Sequence, residues 1–189
     1  MMTYEEALKL LRSFEIKPGD DWDRHCICVG DIAWKLALEI SKYTYIDPDE
    51  VRIMGLVHDF GRSVTNDPYK HAYEGYKLMK NLGYEKYARI CACHSNGTFK
   101  PEDIEEYGLA PEDFYVRTLP EKLVFISDNL ECHGKIVRND IRIKETIERY
   151  KEKDPSFIPI LESKLSEFIE FDNEIKKITG SGVYEILKI

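Results

Sequence analysis

Six side chains able to ligate a metal are spread along this sequence: His25, His58, Asp59, His71, His94 and Asp128. Two of them adjoin in the apolar stretch "LVHDFG", where His58 stands directly against Asp59. A carboxylate in apolar surroundings is costly unless something pairs with it, and the candidates are an arginine, a hydrogen-bond network or a metal ion. Any one inward histidine is more often a hydrogen-bonded core residue than a ligand. Six such groups scattered through one small core would carry a heavy desolvation cost, whereas gathered around metal ions they satisfy one another. Imidazole together with carboxylate suits iron, manganese, cobalt, nickel or zinc rather than calcium or magnesium.

That gathering depends on which faces the elements turn inward. Nearly every segment carries helical periodicity and none shows convincing strand alternation, so the expected fold is all-α in one domain. A helix over 3–14 is broken by "KPGDD". Over 21–43, Trp22, Cys26, Val29, Ala33, Leu36 and Ile40 form one buried stripe, and His25 keeps step with Val29, Ile32 and Leu36. "IDPDE" starts a third helix, with Asp47 as N-cap, Pro48 at the first helical position and Glu50 completing a capping-box-like arrangement. It is expected to run to Phe60, with Gly61 as its stop and His58 in step with Val51 and Met54. Two helices follow, over 70–81, closed by Gly83, and over 84–94. His71 shares a face with Gly75, Leu78 and Leu82, and His94 with Tyr87 and Cys91. The stretch over 95–119 is irregular, with two Pro-Glu-Asp helix starts at Pro101 and Pro111. Pro120 opens an apolar helix, "EKLVFISDNLECHG", in which Asp128 follows Val124 by one turn. His133, beside Gly134 at that helix's end, is expected at the surface or as a cap. Two charged helices, over 139–153 and 157–179, and a short tail finish the chain. The six groups thus fall on the core-facing sides of five helices.

The bulk properties narrow the setting. A chain of 189 residues suits one compact domain. It can bury roughly 70% of its unfolded surface without help from disulfides. The net charge of −8 argues against a general binder of nucleic-acid polymers or anionic membranes, while leaving room for a local basic pocket. The N-terminal stretch has no signal-peptide charge pattern, and no apolar run is long enough to span a bilayer, so the expected compartment is the cytoplasm. Five cysteines are then expected as free thiols. The pairs Cys26/Cys28 and Cys91/Cys93 invite a zinc reading. Residues two apart on a helix point about 200° apart, however, so packed core thiols are the expectation.

The order His…His-Asp…Asp, carried by "DRHCICVGDIAWKLA", "GLVHDFGRS" and "VFISDNLE", resembles that of the HD-domain superfamily of metal-dependent phosphohydrolases. "HAYEGYKLM" and "ICACHSNG" look like the extra histidine pair of its two-metal members, the small HDIG-type proteins that include bacterial symmetrical diadenosine-tetraphosphate hydrolases. Small archaeal and bacterial HD proteins are similar from the fifth of these motifs onward. The resemblance spans roughly Thr3 to Gly134. It sets an expected metal-binding core at 1–134, with the helices of 135–189 completing or extending the same domain. Phe60 stands where the HDIG pattern has isoleucine, an apolar exchange that leaves the ligands untouched.

Carried over by position, the resemblance implies two divalent transition-metal ions, with iron ranked first and manganese, cobalt, nickel or zinc behind it. His25, His58, Asp59 and Asp128 would hold one ion, and Asp59 would bridge to a second held with His71 and His94. It also implies hydrolysis of a nucleotide or another small phosphate ester, with dinucleoside polyphosphates as the sharpest version. Two ions about 3.5–4 Å apart bring a water's pKa down to about 7 and polarise phosphoryl oxygens. Positioning and charge neutralisation do the rest. Arg62, three residues after Asp59, is the candidate catalytic phosphate ligand, with a solvated arginine or a carboxylate partner as the alternative; Arg24 and Lys122 rank below it. The same ligands serve diiron oxygenases of the HD type, and a non-catalytic nucleotide-binding module is the third reading.

The expected partner is a small phosphate or nucleotide, with neither nucleic-acid polymer nor membrane. Substrate choice is expected to lie in 95–119, since long loops are often functional. Its candidates are Asn96, Phe99, Lys100, Tyr107, Tyr115 and Arg117, each by itself ordinary surface. In the last long helix Phe157, Leu161, Leu165, Phe168 and Ile175 form a stripe expected in the core, with a homodimer seam as the alternative.

Overall fold

The first helix, α1 (Tyr4–Leu11), starts at a reciprocal cap in which Thr3 accepts the Glu6 amide and Glu6 accepts the Thr3 amide. The computed structural model, which describes residues 2–17, 20–100 and 104–189, is all-α apart from one short hairpin. Helix α2 (Trp22–Ile40) buries the stripe read from the sequence. Helix α3 (Pro48–Val57) opens at Asp47, whose carboxylate accepts the amides of Asp49 and Glu50. Glu50 is drawn away from the expected capping box: its carboxylate meets the Tyr87 hydroxyl at 3.2 Å and Lys86 at 3.0 Å.

Helix α3 stops short of the expected Phe60. Asp59, at φ −108 and ψ 19, leaves the helical path, and Phe60–Ser63 form a 3-10 turn. Gly61 lies inside that turn and is not a helix stop. A Cβ there would sit 1.8 Å from the carbonyl oxygen of His71, so only glycine lets the turn lie against the start of α4 (His71–Asn81). A second close approach joins α2 to α3. A Cβ on Gly55 would fall 2.7 Å from the Cα of Gly30, and one on Gly30 would fall 2.9 Å from the Arg52 carbonyl oxygen. His25 lies just before the one glycine and His58 just after the other, so this backbone contact is what allows them to meet.

Helix α4 ends at Gly83, whose φ of 79 is the left-handed cap expected of it. Helix α5 (Glu85–Cys93) carries His94 as its C-cap. After α5 come a short helix α6 (Ile104–Tyr107) and a 3-10 turn at Pro111–Phe114. The expected start at Pro101 falls outside the described residues. Helix α7 (Leu119–Asp128) opens on a Thr118–Glu121 capping box.

The helix expected to continue through Gly134 gives way to a two-stranded antiparallel hairpin, Glu131–Cys132 with Lys135–Ile136. His133 at φ 51 and Gly134 at φ 78 supply the two left-handed residues a tight hairpin turn requires. His133 is therefore an exposed turn residue and not a helix cap.

Helices α8 (Asn139–Tyr150) and α9 (Ile158–Thr179) follow, and the expected tail is a further helix, α10 (Val183–Leu187), with Val183 buried. Phe168, Phe171 and Ile175 of α9 join the main core, with Phe171 edge-on to Phe125 of α7 at 5.3 Å. Phe157 and Leu161 pack with Tyr69 in a smaller cluster, and Leu165 is half-buried. The aromatic and aliphatic stripe is thus largely buried within the chain, as the core reading expected. All five cysteines are free thiols, and only Cys28 is less than buried. No described helix is long and apolar enough to cross a membrane.

Candidate metal centre

The six expected side chains converge at one end of the α2–α3 pair. Each histidine is fixed from behind. His58 donates from Nδ1 to the Gly55 carbonyl at 2.6 Å, His94 to the Cys91 carbonyl at 2.8 Å, and His71 to the Asp67 carbonyl at 3.1 Å. A carbonyl only accepts, so Nδ1 carries the proton in all three rings and each Nε2 presents its lone pair inward. His25 is held at Nδ1 by the Glu131 carboxylate and reaches Asp128 Oδ1 from Nε2 at 3.1 Å. Imidazoles anchored this way at the outer nitrogen are the usual pattern behind a metal ligand.

The inner atoms crowd together. The Nε2 atoms of His71 and His94 lie 3.2 Å apart, two lone pairs facing each other across a gap that suits a cation. Asp59 Oδ1 is 3.3 Å from His71 Nε2 and 3.8 Å from His94 Nε2. Potential ligand atoms of His25, His58 and Asp128 fall within 4.8 Å of one another, as do those of His58, Asp59 and His94. His58 Nε2 is buried with no hydrogen-bond partner, so the buried atom common to both groups is the one left open. The donor set fits two neighbouring transition-metal ions.

Electrostatics agree with the geometry. Burial pushes His94 down to about 4, and His58 and His71 also fall below the ordinary imidazole value, so these three rings are neutral and able to ligate. Burial opposes charge on His25, but Asp128 and Glu131 outweigh it and raise the ring to about 10. Burial would raise both aspartates. The Arg62 guanidinium beside Asp59, and His25 beside Asp128, instead hold them well below the usual carboxylate range.

Asp59 is not placed on a helix, as expected, but in the turn after α3. The angle between it and His58 is set by that turn, which Gly61 pins against α4. Arg62 lies against this aspartate, with Nε 3.2 Å from each carboxylate oxygen, and its Nη1 donates to the Asn66 carbonyl at 3.2 Å. The carboxylate partnership foreseen for Arg62 is therefore present. Lys122 points elsewhere and pairs with Glu174 at 2.6 Å, and Arg24 is exposed.

The centre opens into a cavity of about 340 Å³, within the size range of small-molecule pockets. The expected loop contributes little of its wall: of 95–100 and 104–119, only Ser95 and Thr98 line it. Asn96, Phe99, Tyr115 and Arg117 are turned to the loop's own packing. Asn96 accepts the Val116 amide, Phe99 packs on Phe114 with ring centroids 4.9 Å apart, and Arg117 donates to the Glu112 carbonyl at 2.8 Å. Tyr107 stacks on Tyr73, and Lys100 lies over the Tyr69 ring.

The wall facing the histidines comes instead from α8 and α9, through Arg142, Arg149, Tyr150 and Lys164. Sequence reasoning missed these, and it missed Glu131. A signal for Lys164 existed, since it keeps helical step with Leu161 and Phe168 in a buried stripe. Glu131 left none, because it acts from a hairpin strand that the sequence does not announce.

The family model for the HD domain matches residues 22–132. An uncharacterised protein of Methanocaldococcus jannaschii is 35% identical over 162 residues, covering 85% of this chain and 94% of that protein. Two proteins named tRNA (cytidine(56)-2'-O)-methyltransferase are each 26% identical. The one from Picrophilus torridus matches 84% of this chain and 43% of its own length, and the one from Thermoplasma volcanium matches 63% and 34%. The chain thus spans less than half of either methyltransferase. No solved structure matches.

Proposed function

Since the chain belongs to the HD-domain family, whose members are generally metal-dependent hydrolases, we propose that it is a two-metal phosphohydrolase acting on a nucleotide or another small phosphate ester. The observation that carries this reading is the inward convergence of four imidazoles on Asp59 and Asp128, with all of these side chains except His58 lining one cavity. His25, His58, Asp59 and Asp128 would hold one ion; Asp59, His71 and His94 would hold the other. Bound there, the pair supplies an activated water near neutral pH and offsets charge on the phosphoryl oxygens.

The chain's own residues do the rest. The carbonyls of Gly55, Asp67 and Cys91 and the Glu131 carboxylate keep the four rings from turning. Arg62 restrains Asp59 and lines the cavity, where it would face a non-bridging phosphoryl oxygen. Ser95 Oγ, buried and unpartnered beside the cavity, is a further donor. The methyl transfer named for the two longer relatives is not extended to this chain, which matches only a part of each.

The test is release of inorganic phosphate by the manganese-loaded and the iron-loaded chain from a panel of nucleotides and simple esters, with oxygen present and absent. Metal-dependent release that needs no oxygen and disappears in Asp59→Ala is expected. Oxygen consumption without phosphate release would replace the hydrolase reading by the diiron one.

A further inference from the structure

Away from the histidines, the same cavity is lined by Lys164 and Arg142, two cations that form no ion pair among the described residues. Lys164 is only 7% exposed, on the buried face of α9 between Leu161 and Phe168. It lines the cavity, and among the described residues its ammonium has no ion-pair or hydrogen-bond partner. Glu167, one turn along, forms no ion pair with it, and Glu167 Oε2 is itself buried without a hydrogen bond. Arg142 of α8 lines the same cavity. Its Nη1 donates to Thr146 Oγ1 at 2.8 Å, while its Nε–H is buried without a partner.

A buried ammonium and a buried guanidinium N–H with open valences are costly in the empty protein. Burial draws Lys164 below its ordinary value, Asp128 and Glu167 draw it back, and Arg142 and Arg62 push it down again. An anion seated between Lys164 and Arg142 removes that conflict by supplying the missing acceptors. Arg62 does not serve here, because Asp59 already engages it.

We propose that Lys164 and Arg142 form a second anion-binding subsite, which takes a phosphate group of the substrate other than the one held at the histidine cluster. The preferred substrate is then a small molecule bearing two phosphate groups rather than a simple monoester. The proposal rests on the phosphohydrolase reading only for the first phosphate. The subsite itself stands on α8 and α9, both beyond the residues that match the family.

Calorimetric titration of the full chain with inorganic phosphate tests it, once stripped of metal and once loaded with manganese. One phosphate per chain is expected without metal and two with it. Lys164→Met and Arg142→Met should each weaken the metal-independent event by roughly tenfold or more, the worth of one charge-assisted hydrogen bond, and leave the manganese-dependent event in place. Lys164→Met removes an unpaired buried charge and should melt no lower than the parent chain; if either variant fails to fold, the other decides. Absence of metal-independent binding, or unchanged binding in the variants, would overturn the subsite; a single phosphate in the manganese-loaded chain that both variants weaken would instead remove the phosphate assigned to the histidine cluster. If phosphate binds as described but no ester is cleaved, the subsite survives and the hydrolase reading falls.

Discussion

On one wall of the cavity each of the four cluster imidazoles has its outer nitrogen tied to a carbonyl or carboxylate, while on another, among the described residues, Lys164 forms no ion pair or hydrogen bond and the Nε of Arg142 is left open. The first wall is preorganised: its geometry is set before any ion arrives, by glycine contacts that bring α2, α3 and α4 within backbone reach. The second wall is cationic and open, built by helices outside the family match. On the two proposals, metal ligation falls to the part of the chain that matches the family model and binding of a second phosphate to helices outside that match.

Breaking the first wall should have the largest effect. Gly61→Ala forces a methyl group into the His71 carbonyl, a contact that backbone must move to relieve. A loss of roughly 3 kcal/mol is expected in urea unfolding, together with loss of bound metal, since Asp59 and His71 are displaced from each other. A variant that keeps both stability and metal would show that the turn is not what positions Asp59.

Glu131→Gln acts more gently, leaving the fold intact and weakening only the hold on His25. Metal affinity should fall roughly 10- to 100-fold, the usual consequence of losing the partner behind a ligating histidine. Competition with a fluorescent chelator measures it, and an unchanged affinity would remove Glu131 from the centre.

The metal-free chain should also reveal the first wall through pH. His58, His71 and His94 bind protons less readily folded than unfolded, so their contribution is complete above the ordinary imidazole value of 6.5 and is lost as pH falls toward about 4. His25 runs the other way: raised to about 10, it contributes fully below 6.5 and loses that contribution as pH climbs through 10. The melting temperature should therefore peak near neutrality and decline on both sides, and saturating metal should flatten the acid limb. A metal-free melting temperature that rises steadily from pH 7 to 4 would contradict the neutral rings.

The smallest effect is expected outside both walls. Lys122→Ala removes a half-exposed pair with Glu174 and should cost about 0.5–1 kcal/mol, with metal content and phosphate binding unchanged. A fall in phosphate binding would move Lys122 into the second wall.

How much of this was legible in the sequence differs between the same two regions. Most of the cluster could be found because helical period ties residue type to face; Asp59, in the turn after α3, was reached through its neighbour His58 and the family resemblance. Four histidines on core faces have few other uses, and the α2 stripe and the Asp47 and Gly83 caps follow the same local rules. Gly61 was misread as a helix stop because a close approach between segments leaves no local trace. The hairpin at 131–136 was hidden by its brevity, although His133-Gly134 is the pair its turn demands. Lys164 and Arg142 escaped for another reason. A cation on a highly charged helix looks like solvated surface until tertiary packing buries it, and α8 and α9 lie beyond any motif that would single them out.

The central claim is that the six residues form one two-ion centre, and a direct count of metal tests it most closely. Elemental analysis of chain purified without oxygen or chelators, beside Asp59→Ala prepared in the same way, should find about two transition-metal ions per chain in the parent and almost none in the variant. A parent chain that holds no metal even after soaking, or a variant that holds as much as the parent, would contradict it.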